Sequence, residues 1–269
     1  MSEEKRPHLS PSQLDMISKC GQQYYFRYIK GLIRPPGVAL LVGGATHTSV
    51  ETDLTEKMES GNLLEDDAVK DIAADALKIR WADEPPGLDA DEKARGPEKV
   101  KGIAIDLTVA LSLCHHKELA PEIEPVALER GLRYTYAGMD YDMLGFLDIQ
   151  EKNRIRDTKT RGQSPQQVVA DRSTALTFYC MAAEAEDKAR VEELTIDALV
   201  KTKKPKVVVL KTTRDESDYD QFLARWARAE QIIKAGVFAP CATDNWACTP
   251  KWCGYYDICP FGKAKRRQF

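Results

Sequence analysis

The chain has 269 residues, 43% hydrophobic and 30% charged, and its 39 Lys plus Arg against 42 Asp plus Glu leave a formal net charge of −3. That length allows one large domain or two small ones, and the composition excludes a disordered or fibrous chain. The longest mostly apolar stretch, Gly37 to Thr46, is about half of the roughly 20 residues a membrane-spanning helix needs, and the charged start MSEEKRPHLS lacks the apolar core of a signal peptide, so a cytoplasmic protein without a membrane partner is expected.

In chain order, Ser10-Pro11-Ser12-Gln13 reads as a helix start, with Ser10 as cap and Gln13 three residues on. Leu14, Ile17, Tyr24 and Tyr28 follow on one side, which predicts a first helix. Pro35-Pro36-Gly37 breaks it, and Gly43-Gly44 opens a second helix that carries His47 and Glu51 one turn apart. Residues 67–80 and 98–118 read as helices separated by the turn-forming Pro85-Pro86-Gly87. From Val126 the period changes toward two, and 126–137, 142–151 and 153–160 read as three successive strands. A helix over 173–188, a strand pair at 194–201 and 206–211 across Lys203-Lys204-Pro205, and a helix over 216–235 follow. No internal repeat is present. The expected class is α/β: a helical N-terminal half, a central mixed β-sheet flanked by helices, and a cysteine-bearing tail.

The chemistry concentrates in two places. In a strand, residues i and i+2 share a face, so Asp157 and Lys159 project together while Thr158 points away. Asp148 lies on the preceding strand. Carboxylates converging from neighbouring strands offer hard oxygen ligands for Mg²⁺ or Mn²⁺, and an ammonium beside them orients a metal-bound water or helps to deprotonate it. His47 can add a nitrogen ligand, which tilts the preference toward Mn²⁺. This is equipment for phosphodiester hydrolysis. The second place is the tail, where Cys248, Cys253 and Cys259 form a Cys-x4-Cys-x5-Cys array among aromatic residues. Seven cysteines in a cytosolic chain point away from a disulfide framework. A tetrahedral zinc site and a cubane cluster both want four protein ligands, and the fourth is either the nearby Cys241 or Cys20, which stands beside Tyr24-Tyr25-Phe26. Cys114 and Cys180 fall within apolar helical patterns and read as buried free thiols.

The order Gly-x-x-x-His-x-x-x-Glu, Gly-x-x-Asp, Asp-x-Lys, then a helix with Tyr179 resembles the RecB-like branch of the PD-(D/E)xK nuclease superfamily, in particular the Cas4 and AddB-type exonucleases with a [4Fe-4S] cluster. The resemblance covers most of the chain. It implies a restriction-endonuclease-like core in a single domain over 1–269, with a helical insertion at about 55–122, a nuclease core at about 123–235 and a C-terminal cysteine cluster at 241–260 joined to Cys20. Carried over, His47, Asp148, Asp157 and the Thr158 carbonyl are metal ligands, Lys159 is the catalytic lysine, and Glu51 and Tyr179 support it. Leu9-Ser10-Pro11-Ser12-Gln13-Leu14 matches the family's N-terminal helix, so Cys20, Cys248, Cys253 and Cys259 hold the cluster, with Zn²⁺ the lesser alternative. The implied activity is metal-dependent hydrolysis of DNA, on single strands or duplex ends. The alternative is a nucleic-acid-binding or recombination and assembly module that kept the fold and lost cleavage. A homo-oligomer or a recombination-protein partner fits the family equally. Three positions depart from its pattern. Gly21 stands where proline is common, the first cysteine spacing is x4 and not x2, and Ala175 occupies the usual Gln position before Tyr179, so that a polar contact is either missing or supplied from elsewhere, with Ser173 and Thr174 as candidates.

With a net charge of −3, phosphate contacts must come from local clusters. Lys201, Lys203, Lys204 and Lys206 surround one turn, and Lys263, Lys265, Arg266 and Arg267 end the chain. Tyr24, Tyr25, Trp246, Trp252, Tyr255 and Tyr256 either stack on unpaired bases or pack around the cluster.

Overall fold

The computed structural model describes residues 6–242 and 244–264, so the basic run from Lys265 onward lies outside the described residues. The elements begin with β1 (His8–Leu9), α1 (Pro11–Lys19) and α2 (Gly21–Tyr24), which runs into a π-helical turn at Tyr25–Ile29. Next come α3 (Val38–Ser60), α4 (Asp66–Asp83), α5 (Ala90–Arg95) and α6 (Pro97–Glu118). Then follow β2 (Ala127–Tyr134), β3 (Asp142–Gln150), β4 (Arg154–Arg161), α7 (Val168–Asp171) and α8 (Thr174–Asp187). The chain continues through β5 (Glu193–Val200), β6 (Lys206–Thr212), α9 (Glu216–Ala235) and α10 (Pro260–Ala264). Among the described residues no helix is long and apolar enough to cross a membrane.

The chain forms two compact units. One takes Met1–Arg34, Arg133–Gly145 and Arg214–Phe269; the other takes Pro35–Leu132 and Phe146–Thr213. The second holds a mixed sheet flanked by helices, as the sequence pattern predicts. In it β3 pairs antiparallel with β4, β4 parallel with β5, and β5 antiparallel with β6. A parallel pair needs a crossover connection, and the segment bearing α7 and α8 supplies it between β4 and β5. The run Leu-Thr-Ile-Asp-Ala-Leu-Val at 194–200 is buried throughout, the mark of a strand covered on both faces. Leu41, Val42 and Ala45 of α3 pack with Ala76 and Leu77 of α4, Ala104 and Leu111 of α6, and Leu199 of β5.

In the other unit, His8 and Leu9 pair parallel with Asp142 and Met143 at the start of β3. Ser10 caps α1 in a complete capping box with Gln13, as its sequence signature predicts. Two helix boundaries differ from expectation. The first helix does not run on through Tyr28, because Cys20 is extended, with φ −159° and ψ 106°, and separates α1 from α2. There a β-carbon on Gly21 would lie 2.8 Å from the Ala239 carbonyl oxygen, so the chain turns where another backbone passes. The second helix starts at Val38, not at Gly43-Gly44, since Leu41 and Val42 are core residues that the helix must present. Gly44 is a contact site inside the helix: a β-carbon there would lie 2.8 Å from the Arg80 guanidinium.

Candidate metal centre

Within the second unit, α3 carries His47 and Glu51, β2 carries Glu129, β3 carries Asp148, β4 carries Asp157, Thr158 and Lys159, and α8 carries Tyr179. The antiparallel register that sets Ile149 opposite Arg156 brings Asp148 and Asp157 to neighbouring positions just beyond the last paired residues. Ligand atoms of His47, Glu129 and Asp148 lie within 4.8 Å of one another, with His47 Nδ1 3.5 Å from Asp148 Oδ2. Asp157 is held differently: Lys159 Nζ donates to its Oδ1 at 2.7 Å and stands 3.9 Å from Asp148 Oδ2. The main chain of Thr158 ties the group together. Its N–H donates to Asp148 Oδ2 at 2.7 Å, and its backbone hydrogen-bonds the His47 ring. Thr158 itself is fully buried, as an inward residue of a central strand should be.

The electrostatics are those of a carboxylate pocket short of positive charge. Burial and then Asp157 raise the Asp148 carboxyl well above the usual carboxylate range. Burial, Asp148 and Glu51 raise Glu129 in the same direction. Burial and then Lys159 lower His47, which keeps a neutral imidazole able to ligate. Burial opposes the charge on Lys159, but Asp157 and Asp148 outweigh it and its pKa stands above the ordinary value. The acids thus favour the ammonium form of Lys159. Tyr179 is buried beside these acids and held well above the usual phenol range, by burial first and then by Asp157 and Asp148. Crowded carboxylates joined by one imidazole nitrogen fit Mg²⁺ or Mn²⁺.

Glu129 was not among the residues singled out from sequence. Its backbone is at φ 44°, left-handed territory that costs a non-glycine residue about 1–2 kcal/mol, and such strain concentrates at functional sites. Nothing in the strand pattern marks it, because one charged residue in an amphipathic strand is ordinary. At the other departure, Ser173 caps α8 by accepting from the Leu176 N–H at 3.3 Å. Deeper in the same unit, Arg156 Nη1 lies 3.1 Å from the fully buried Asp197. His115 on α6 is also fully buried, and its ring nitrogens have no hydrogen-bond partner among the described residues.

The cysteines named for the tail lie in the first unit. Cys20, Cys248, Cys253 and Cys259 line one cavity, and Cys241 lines it with them. Phe26, Tyr255 and Tyr256 wall it. Gln22 Nε2 donates to the Phe238 carbonyl at 2.5 Å and fastens the Cys241 segment beside the Cys20 turn. Burial, then Cys20 and Cys248, push the Cys241 thiol up to about 12. Among the described residues no three of these sulfurs lie within 4.8 Å of one another, whereas a single tetrahedral zinc would draw four of them to about 3.8 Å apart. Cys114 and Cys180 are buried, as expected.

The family model of the PD-(D/E)XK nuclease superfamily matches residues 8–260. No curated protein matches the sequence. Among solved structures, a crystal structure of a protein named "Putative exonuclease" from Eubacterium rectale aligns with a TM-score of 0.53 at 11% identity, covering 90% of this chain and 86% of that one. That likeness is one of fold. A second structure, of the protein SSO0001, covers 93% of this chain and 94% of its own at 13% identity with a TM-score of 0.34.

Proposed function

The chain belongs to the PD-(D/E)XK nuclease superfamily, and from that premise we propose that it is a metal-dependent DNA exonuclease acting on single strands or DNA ends. The observation that carries this reading is the meeting of His47, Glu129 and Asp148 beside the Asp157–Lys159 pair. These four ligand side chains would hold Mg²⁺ or Mn²⁺, which supplies Lewis-acid polarisation of a phosphoryl oxygen and acidifies a bound water. The chain's own residues do the rest. Lys159, charged and anchored by Asp157, directs a hydrogen bond at the attacking water and balances charge on the phosphate. The Thr158 main chain keeps Asp148 and His47 in register, and Glu51 and Tyr179 line the acidic side of the site.

The five-cysteine cavity supports a [4Fe-4S] cluster held by Cys20, Cys248, Cys253 and Cys259. Its role is to join the distant segments of the first unit. The odd count of seven cysteines and their crowding near the tail support a reducing, cytoplasmic setting.

The deciding experiment is release of nucleotides from 5′- and 3′-labelled DNA with Mn²⁺ or Mg²⁺, comparing wild type with Lys159→Ala. Loss of about 10²–10³ in rate at unchanged thermal stability supports the enzyme. Equal inertness of both proteins, with DNA binding intact, favours the binding or assembly module instead, a reading that Ala175 at the usual Gln position also suits.

A further inference from the structure

The first unit carries an aromatic surface that the cysteine cavity does not use. Phe26, Tyr255 and Tyr256 wall the cavity, but Trp246 and Trp252 are not among its lining residues and remain 66% and 58% exposed. They form an edge-to-face pair with ring centroids 5.5 Å apart and planes at 85°. Two adjacent tryptophans left mostly in water gain little for folding, so stability does not explain them.

One cation stands on this pair, and three more stand on aromatic rings of the neighbouring segments. Lys251 Nζ lies 5.1 Å from the Trp252 ring centroid. Arg34 Cζ lies 5.5 Å from the Tyr255 centroid, and Lys30 and Arg27 sit over Tyr25 and Tyr28 in the same manner. The two segments make one surface: Tyr255 Oη donates to the Leu32 carbonyl at 2.7 Å, and Phe26 stacks on Tyr255 at 5.5 Å. Neither 25–34 nor 245–256 contains an acidic residue, in a chain whose acids outnumber its bases. An apolar protein partner would not require that charge bias. A polyanion with accessible flat rings matches both features, since bases stack on aromatic faces and phosphates pair with flanking lysines and arginines.

We infer that Trp246 and Trp252, with Lys251 and Arg34, form a stacking platform for unpaired bases, a binding site for single-stranded DNA on the cysteine-bearing unit. This deepens the nuclease reading by naming the form of its substrate, and rests on that reading only for the identity of the nucleic acid.

The test is fluorescence anisotropy of a labelled oligodeoxythymidine of about 16 nucleotides with the full-length protein in EDTA, where binding is read without hydrolysis. Trp246→Ala/Trp252→Ala should weaken binding by about tenfold or more, and Trp246→Phe/Trp252→Phe should restore it to within about threefold. Trp246→Leu/Trp252→Leu keeps the apolar area without the π face, and should bind as poorly as the alanine pair. Arg34→Ala/Lys251→Ala should reduce the slope of log affinity against log salt by about 1.4. Wild-type binding by the leucine or alanine pair, or an equal loss on blunt duplex of the same length, overturns the platform. Cleavage with Mn²⁺ is scored separately. Binding that depends on the tryptophans without any cleavage leaves the platform standing and removes the catalytic reading, whereas cleavage with tryptophan-independent binding does the reverse.

Discussion

Glu129 joins a ligand position to a strained backbone, and the two roles separate by substitution. Glu129→Gly relieves the left-handed conformation while removing the carboxylate, so it should be about 1 kcal/mol more stable than Glu129→Ala, and both should lose Mn²⁺-dependent cleavage. Chemical denaturation beside a nuclease assay reads this, and equal stability of the two variants would remove the strain argument. His115 makes a second residue-level prediction. Burial first, and then Arg156 and its neighbouring histidines, lower its pKa from 6.5 to about 3. The unfolded chain therefore takes up a proton below about pH 6.5 that the folded chain refuses. This contribution to stability is complete above that pH and is lost as pH falls toward 3, at about 1.4 kcal/mol per unit. Denaturant midpoints for wild type and His115→Leu between pH 7 and 5 should show a shallower slope in the variant; parallel slopes would mean that His115 charges freely in the fold. Both residues escaped the sequence reading for a physical reason. Asp148, Asp157 and Lys159 share local strand spacing and were visible as a set, whereas Glu129 reaches the site through a backbone angle and His115 matters through burial, and neither leaves a periodic trace.

At the level of elements, legibility followed the chemistry of the ends. α9 runs over Glu216–Ala235 as read from sequence, because Asp215 caps it in a capping box and Gly236 closes it at φ 67°. α3 starts at Val38 and not at the expected Gly43-Gly44, because Gly44 lies inside the helix, where it admits the Arg80 guanidinium. The interruption at Cys20 was equally invisible, since it depends on the Ala239 backbone, more than two hundred residues away. That contact is testable. Gly21→Ala sets a β-carbon against backbone that cannot swing aside, so it should cost about 1–3 kcal/mol and, on the cluster reading proposed above, lower the iron bound per chain, read by thermal melting and iron assay. Normal iron content and melting would show that the Cys20 turn does not need the glycine.

On the scale of the molecule, the candidate metal centre is built wholly by one unit and the cysteine cavity wholly by the other. With the proposed cluster in the cysteine cavity, stripping iron should therefore act unevenly. Hydrogen exchange should accelerate in 8–34 and 237–262 while the amides of β4 and β5 keep their protection. Uniform acceleration would show a single cooperative fold depending on the cluster. The division also has a temporal side. The second unit is complete once Thr213 has emerged, but the cavity needs Cys20 from near one terminus and Cys259 from near the other. At ribosomal rates of about 5–20 residues per second, the earliest of these thiols waits roughly 10–50 s for the last, so the walls of the cavity come together well after the strands and helices of the second unit have been made.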